Sequence, residues 1–176
     1  SYGGYVLSPD GKTLAAAIGS FIEVWDLDLQ SKAAPYAGSR TEKGRQWIAG
    51  IPGQQIPLDW DRFRGPNGSG IAEATSLPAV FGHDKNLIWK TPLPPGHSSP
   101  ILSRDRVFLT AVENDKLYLI AVDRQTGRIA WRRESPRVRT ERLHKLNSPA
   151  SATPAADGTQ IYAFFGDYGL VCYDWT

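Results

Sequence analysis

The side chains that could do chemistry are few and scattered. Three histidines, His83, His97 and His144, stand far apart, and none has a second His or Cys at metal-ligand spacing. Cys172 is the only cysteine, so neither an intrachain disulfide nor a cysteine-built metal cluster can form. His97-Ser98-Ser99 has the residue types for nucleophilic catalysis, but no Gly-x-Ser-x-Gly elbow surrounds it and no helical pattern follows Ser99. It reads instead as the start of a strand. Gly11-Lys12-Thr13 ends like a phosphate-binding loop, yet the glycine that motif needs five residues earlier is Val6. A second glycine-rich run, Gly65-Pro66-Asn67-Gly68-Ser69-Gly70, lacks a following lysine and a following helix. It reads as an irregular loop pinned by Trp60 and Phe63. The carboxylates Asp105, Asp115, Asp123, Asp157, Asp167 and Asp174 all fall at turns or strand ends rather than in one ligand cluster. Between residues 124 and 145 lie Arg124, Arg128, Arg132, Arg133, Arg137, Arg139, Arg142 and Lys145 against Glu134 and Glu141. Such a stripe can bind phosphates, but no aromatics interleave Arg132 to Arg142, so it reads as a solvated loop.

The elements that would position these residues centre on Ala121 to Trp131. Lys116 to Val122 is rich in β-formers and ends on a turn set. Asp123 and Thr126 can bond turn amides through their short side chains, and Gly127 supplies a positive φ. A strand then begins at Arg128 and ends on Trp131, with Ile129 and Trp131 on one face. The unit recurs. Pro100 matches Pro154 and Val107 matches Ile161, both 54 residues apart (154 − 100 and 161 − 107). Asp123 matches Asp174 at 51 (174 − 123), so the second copy has a shorter hairpin. Residues 98–123 and 151–174 are therefore expected to be equivalent three-strand units. Repeats near fifty residues with several strands each predict a propeller.

Ala121-x-Asp123-x-x-Thr126-Gly127-x-x-x-Trp131 resembles the tryptophan-docking repeat of quinoprotein-type, PQQ-like β-propellers. In that family the indole packs between adjacent blades, and Trp131 is expected to be buried beside Gly127. The run Trp60-x-x-Phe63-Arg64-Gly65-Pro66-x-Gly68-x-Gly70, followed by Ile88-Trp89-Lys90-Thr91, resembles the lead-in segment of the same family. The resemblance spans about residues 59 to 176. It implies that 88–91 is a docking strand without its preceding blade, closing the ring against the last one. Residues 3–28, with Ser8-Pro9-Asp10-Gly11 and Trp25-Asp26, resemble a WD-type repeat blade, with strands at 5–7, 14–18 and 21–25.

Length and composition agree. The chain has 176 residues, 41% hydrophobic and 11% aromatic, enough for one sizeable core or two small ones. Seventeen Gly, thirteen Pro and no long apolar-periodic run favour short strands and turns over helices. A net charge of +2 gives no case for nucleic acid as a partner. No signal peptide and no stretch long enough to span a bilayer is present. The chain reads as cut at both ends, opening inside a blade and stopping one residue short of the next turn glycine.

The expectation is an all-β chain, an incomplete PQQ-like β-propeller. Residues 1–28 form a WD-like blade fragment and 29–58 a loosely packed linker. Residues 59–176 form the lead-in segment and two blades. By strand alternation Cys172 is a packed side chain. The resembling family holds quinone-dependent alcohol and sugar dehydrogenases and also non-catalytic scaffold lipoproteins of outer-membrane assembly, which implies a periplasmic or cell-envelope location. The reading is a non-catalytic scaffold with a protein partner and no cofactor. The alternative is a fragment of a quinone-dependent dehydrogenase.

Overall fold

The computed structural model describes residues 5–8, 12–18, 20–27, 59–72 and 82–175. Among them are eleven strands: β1 (Tyr5–Leu7), β2 (Thr13–Ile18), β3 (Phe21–Asp26), β4 (Leu87–Pro92), β5 (Ile101–Ser103), β6 (Arg106–Glu113), β7 (Lys116–Asp123), β8 (Ile129–Ser135), β9 (Ala155–Ala156), β10 (Gln160–Phe165) and β11 (Gly169–Asp174). A 3-10 turn spans Pro66–Gly68, and no α-helix occurs among the described residues. The strands form three antiparallel sheets, β1-β2-β3-β4, β5-β6-β7-β8 and β9-β10-β11. The fold is the all-β, incomplete propeller of PQQ-like blades that the repeat predicts.

The three sheets repeat one register. Leu7 faces Leu14, Leu102 faces Val107, and Ala156 faces Ile161. On the next strand Leu14 faces Trp25, Val107 faces Val122, and Ile161 faces Tyr173. Each third strand ends on an aspartate, with Asp26 opposite Thr13, Asp123 opposite Arg106 and Asp174 opposite Gln160. The residue after each aspartate donates its backbone N–H to the turn before the second strand: Leu27 to Lys12, Arg124 to Asp105 and Trp175 to Thr159. Even the β-bulge repeats, between Val24 and Trp25 in the first sheet and Ala121 and Val122 in the second. Units 98–123 and 151–174 are thus equivalent, and 5–26 is a third copy that residue identity alone conceals.

Turn chemistry sets the hairpins. Asn114 and Asp115 adopt φ of 48° and 64°, as a two-residue turn between Glu113 and Lys116 requires. The third sheet turns instead through Gly166-Asp167-Tyr168, between Phe165 and Gly169.

Sheets stack face to face. Val6, Ala15, Ile22 and Val24 of the first pack with Val107, Leu109, Ile120 and Val122 of the second. The opposite face of the second sheet, with Ile101, Phe108, Leu119 and Ala121, packs on Ile161, Ala163 and Phe165 of the third. Burial on both faces explains why Val107-Phe108-Leu109 and Leu119-Ile120-Ala121-Val122 are unbroken apolar runs rather than alternating ones.

Three expectations are corrected. Strand 88–91 does not lack its preceding blade: β4 pairs along β3, from Phe21 opposite Pro92 to Trp25 opposite Leu87. The partners lie between 62 (87 − 25) and 71 (92 − 21) residues apart in the chain, so no local pattern announces them. The strand carrying Trp131 continues to Ser135, so Arg132 and Arg133 belong to a ladder, not to a loop. Cys172 is exposed. It occupies the position of Ala121 in the second sheet, whose face is covered by the third sheet, whereas no described residue covers the third in the same way. The expected linker, 29–58, lies outside the described residues.

The β3–β4 pairing carries a test by hydrogen exchange. In the whole chain the amides of β4 should be protected together with those of β3. In a chain begun at residue 59 they should exchange freely while those of β6 and β7 stay protected. Unchanged protection of β4 after that truncation contradicts the shared sheet.

Candidate functional site

Tryptophans reach from each sheet to the next. The Trp89 indole N–H, on β4, donates to the Arg124 carbonyl at 2.9 Å, and the ring lies over Gly127. A Cβ on Gly127 would sit 2.6 Å from that ring, and its φ is +72°, so both space and backbone demand glycine there. Thr91 Oγ1 adds a hydrogen bond to the Gly127 carbonyl at 2.7 Å. Arg124 returns across the same junction, its guanidinium donating to Thr13 Oγ1 at 2.7 Å. One sheet further on, Trp131 repeats the bond, its indole N–H donating to the Trp175 carbonyl at 3.1 Å. Arg124 and Trp175 are equivalent, each following its strand-end aspartate.

The ring expected beside Gly127 is therefore Trp89, not Trp131. Trp89, on the fourth strand of the first sheet, projects toward the second, so Gly127 receives the tryptophan of the sheet before it. Trp131 is half-buried against Phe108 and faces Trp175, with Arg133 stacked 5.1 Å over it. Phe108 also meets Trp175 edge-on at 5.0 Å.

Asp123 holds the turn that carries Gly127. Its Oδ1 accepts from the Thr126 N–H at 2.9 Å, the Thr126 hydroxyl at 2.8 Å and the Gln125 N–H at 3.1 Å. Arg106 donates to its other oxygen at 3.0 Å. These bonds, those from Thr126 foremost, lower the Asp123 pKa from its ordinary value. Ala121 is buried opposite Trp131. Asp157 repeats the device at another turn, with Thr159 and Gln160 as donors, and its pKa is likewise lowered. The Tyr162 hydroxyl donates to Asp157, which pushes the phenol up to about 12.

The lead-in motif ties innermost strands together. Trp60 is buried and bridges to Leu102, and the Asp61 carbonyl accepts from Ala156 N–H at 2.8 Å, so one segment touches both the second and third sheets. Asp59 accepts from the Ser103 hydroxyl and the Arg104 N–H. Gly65, at φ +66°, lets the chain fold onto the Trp60 ring, where a Cβ would approach to 2.5 Å. Pro66 opens the 3-10 turn, Gly68 and Gly70 take positive φ, and Arg64 closes the loop by accepting from Gly70 N–H through its carbonyl. Phe63 departs from expectation: it is 62% exposed and pins nothing. A shallow apolar hollow of about 330 Å³ separates β1 from Trp60 and Gly70.

Several of the remaining candidate groups have structural partners. Ser98 is buried and accepts from Thr110 N–H at 3.0 Å. His144 Nδ1 accepts from Leu146 N–H, and His83 stands 3.6 Å from buried Glu23, which pairs with Lys90 at 2.8 Å. In the arginine run, Arg132 pairs with Glu113 and stacks on Tyr118, Arg137 pairs with buried Asp167, and Arg139 bonds the Gly166 carbonyl. A calcium–quinone centre needs several oxygen ligands converging on one point. Among the described residues no three His, Cys, Asp or Glu side chains converge in that way. No helix of the described residues is long and apolar enough to cross a membrane.

Residues 23–176 match the PQQ-repeat family described as outer membrane protein assembly factor BamB. No curated protein matches the chain at a significant level.

Two measurements probe the junction. Gly127→Ala should lower the urea midpoint without changing the slope, because the methyl overpacks Trp89 at a cost of roughly 1–3 kcal/mol and the left-handed φ adds about 1–2 kcal/mol. A variant as stable as the parent contradicts the packing. Because the folded pKa of Asp123 is depressed, its contribution is present at neutral pH and is lost as pH falls below the ordinary carboxylate value of 3.8. The stability gap between the parent and Asp123→Asn should therefore be widest near neutrality and close in acid. A gap independent of pH contradicts the turn-capping role.

Proposed function

The chain belongs to the PQQ-repeat family of outer membrane protein assembly factor BamB, and from that premise we propose that it is a non-catalytic scaffold module whose partner is another protein. The observation that carries this reading is the use made of the motif residues. Asp123 and Thr126 bond each other within the turn that carries Gly127, Gly127 receives the Trp89 ring, and the Trp89 and Trp131 indoles donate to the Arg124 and Trp175 carbonyls of the next sheet, which leaves these residues holding units together rather than acting on a substrate. A stack held in this way presents its strand-end loops on a rigid support, which suits docking. Fold by itself does not fix chemistry, so the reading rests on these residues and on the family.

A pair of experiments tests it. Photo-crosslinking residues placed at exposed loop positions should yield discrete protein adducts in extracts of the source cells. Titration with pyrroloquinoline quinone and calcium should give no stoichiometric binding, and dye-linked alcohol oxidation should stay at background. Micromolar quinone binding with oxidation overturns the scaffold reading in favour of a dehydrogenase.

A further inference from the structure

The connection from β8 to β9 is long and has no regular structure over 136–147, yet its shape is set by one buried carboxylate. Asp167, 1% exposed in the β10–β11 turn, accepts from Arg137 Nε at 2.6 Å and from Glu141 N–H at 2.7 Å. Its backbone carbonyl accepts from Val138 and Arg139 N–H. The Arg139 guanidinium donates to the Gly166 carbonyl, and Asn147 N–H closes a turn on the His144 carbonyl. Long unstructured loops held in one conformation are more often functional than connective.

What this loop shows to solvent is unbalanced. Val138 and Leu146 are 68% and 69% exposed. Arg139, Arg142 and Lys145 are exposed between them. Carboxylates at the same end of the sheets are already engaged: Glu113 with Arg132, Glu134 with Lys116, and Asp115 and Asp167 with Arg137. Glu141 is the loop's own acid, set against three cations. Apolar side chains flanking uncompensated positive charge, on a backbone ordered in advance, match a partner that offers carboxylates and apolar side chains together.

We propose that the 136–147 loop is a docking surface for an acidic, leucine-bearing segment of a protein partner. This rests on the scaffold reading and names the surface and its chemistry. Asp167 is its positioning residue, since it touches no partner and acts through the loop.

The probe is a short synthetic peptide of glutamates interrupted by leucines, labelled and followed by fluorescence anisotropy against the whole chain. It should bind saturably and more weakly as salt rises. Arg142→Glu with Lys145→Glu should weaken it by about tenfold or more, and Val138→Ser with Leu146→Ser should weaken it too. Both pairs are exposed, so their urea midpoints should match the parent's. Asp167→Asn should weaken the peptide while sharply raising hydrogen exchange at 138–141. Absence of peptide binding, or an unchanged affinity in the charge-reversed variant, overturns the assignment. So does tighter binding of anionic vesicles or RNA through Arg142 and Lys145. If the charge-reversed chain keeps all its protein adducts in the crosslinking experiment, this loop is wrong and the scaffold reading stands. Loss of every adduct in the unaltered chain removes the scaffold reading itself.

Discussion

A tryptophan from the last strand of one sheet lies on a glycine of the next and hands its indole N–H to a carbonyl there. Trp89 does this to Gly127 and Arg124, and Trp131 makes the same hydrogen bond to Trp175. Apolar contact alone is non-directional and would let one sheet slide or rotate over another. A directional bond combined with a ring that tolerates no Cβ removes that freedom. The stacking of Val24 toward the second sheet and of Phe108 toward the third depends on it.

The cost of such a junction is a demanding turn. Gly127 must take a left-handed φ, and its neighbours leave N–H groups without ladder partners. Asp123 answers both needs by accepting three hydrogen bonds with one oxygen. The charged form of the side chain is the better acceptor, which is why its pKa falls. The same logic places Asp157 before Thr159 and Gln160. These acids look functional in isolation and turn out to be occupied.

Charge follows a similar course. Eight cations between residues 124 and 145 suggest a phosphate-binding stripe. Arg124, Arg132 and Arg137 are spent on a hydroxyl, a carboxylate and a buried aspartate, and aromatic rings take Arg132 and Arg133. What is left over is a smaller set beside Val138 and Leu146, held by Asp167. Local composition overstates the available charge because it cannot show which partners arrive from other strands.

Much of the architecture is legible in the residues themselves. Strand and turn propensities mark β6, β7 and the Asn114-Asp115 turn, and the spacing of Pro100 with Pro154 and Val107 with Ile161 marks two copies of one unit, because local backbone preference and short-range periodicity are properties of the chain. The pairing of β4 with β3, the third copy hidden in 5–26, and the choice of Trp89 rather than Trp131 as the ring over Gly127 belong to the tertiary structure. So do the exposure of Phe63 and Cys172 and the engagement of the arginines. Each is a relation between residues distant in sequence, and a side chain's face is buried only if some other sheet covers it, which alternation along a single strand does not encode.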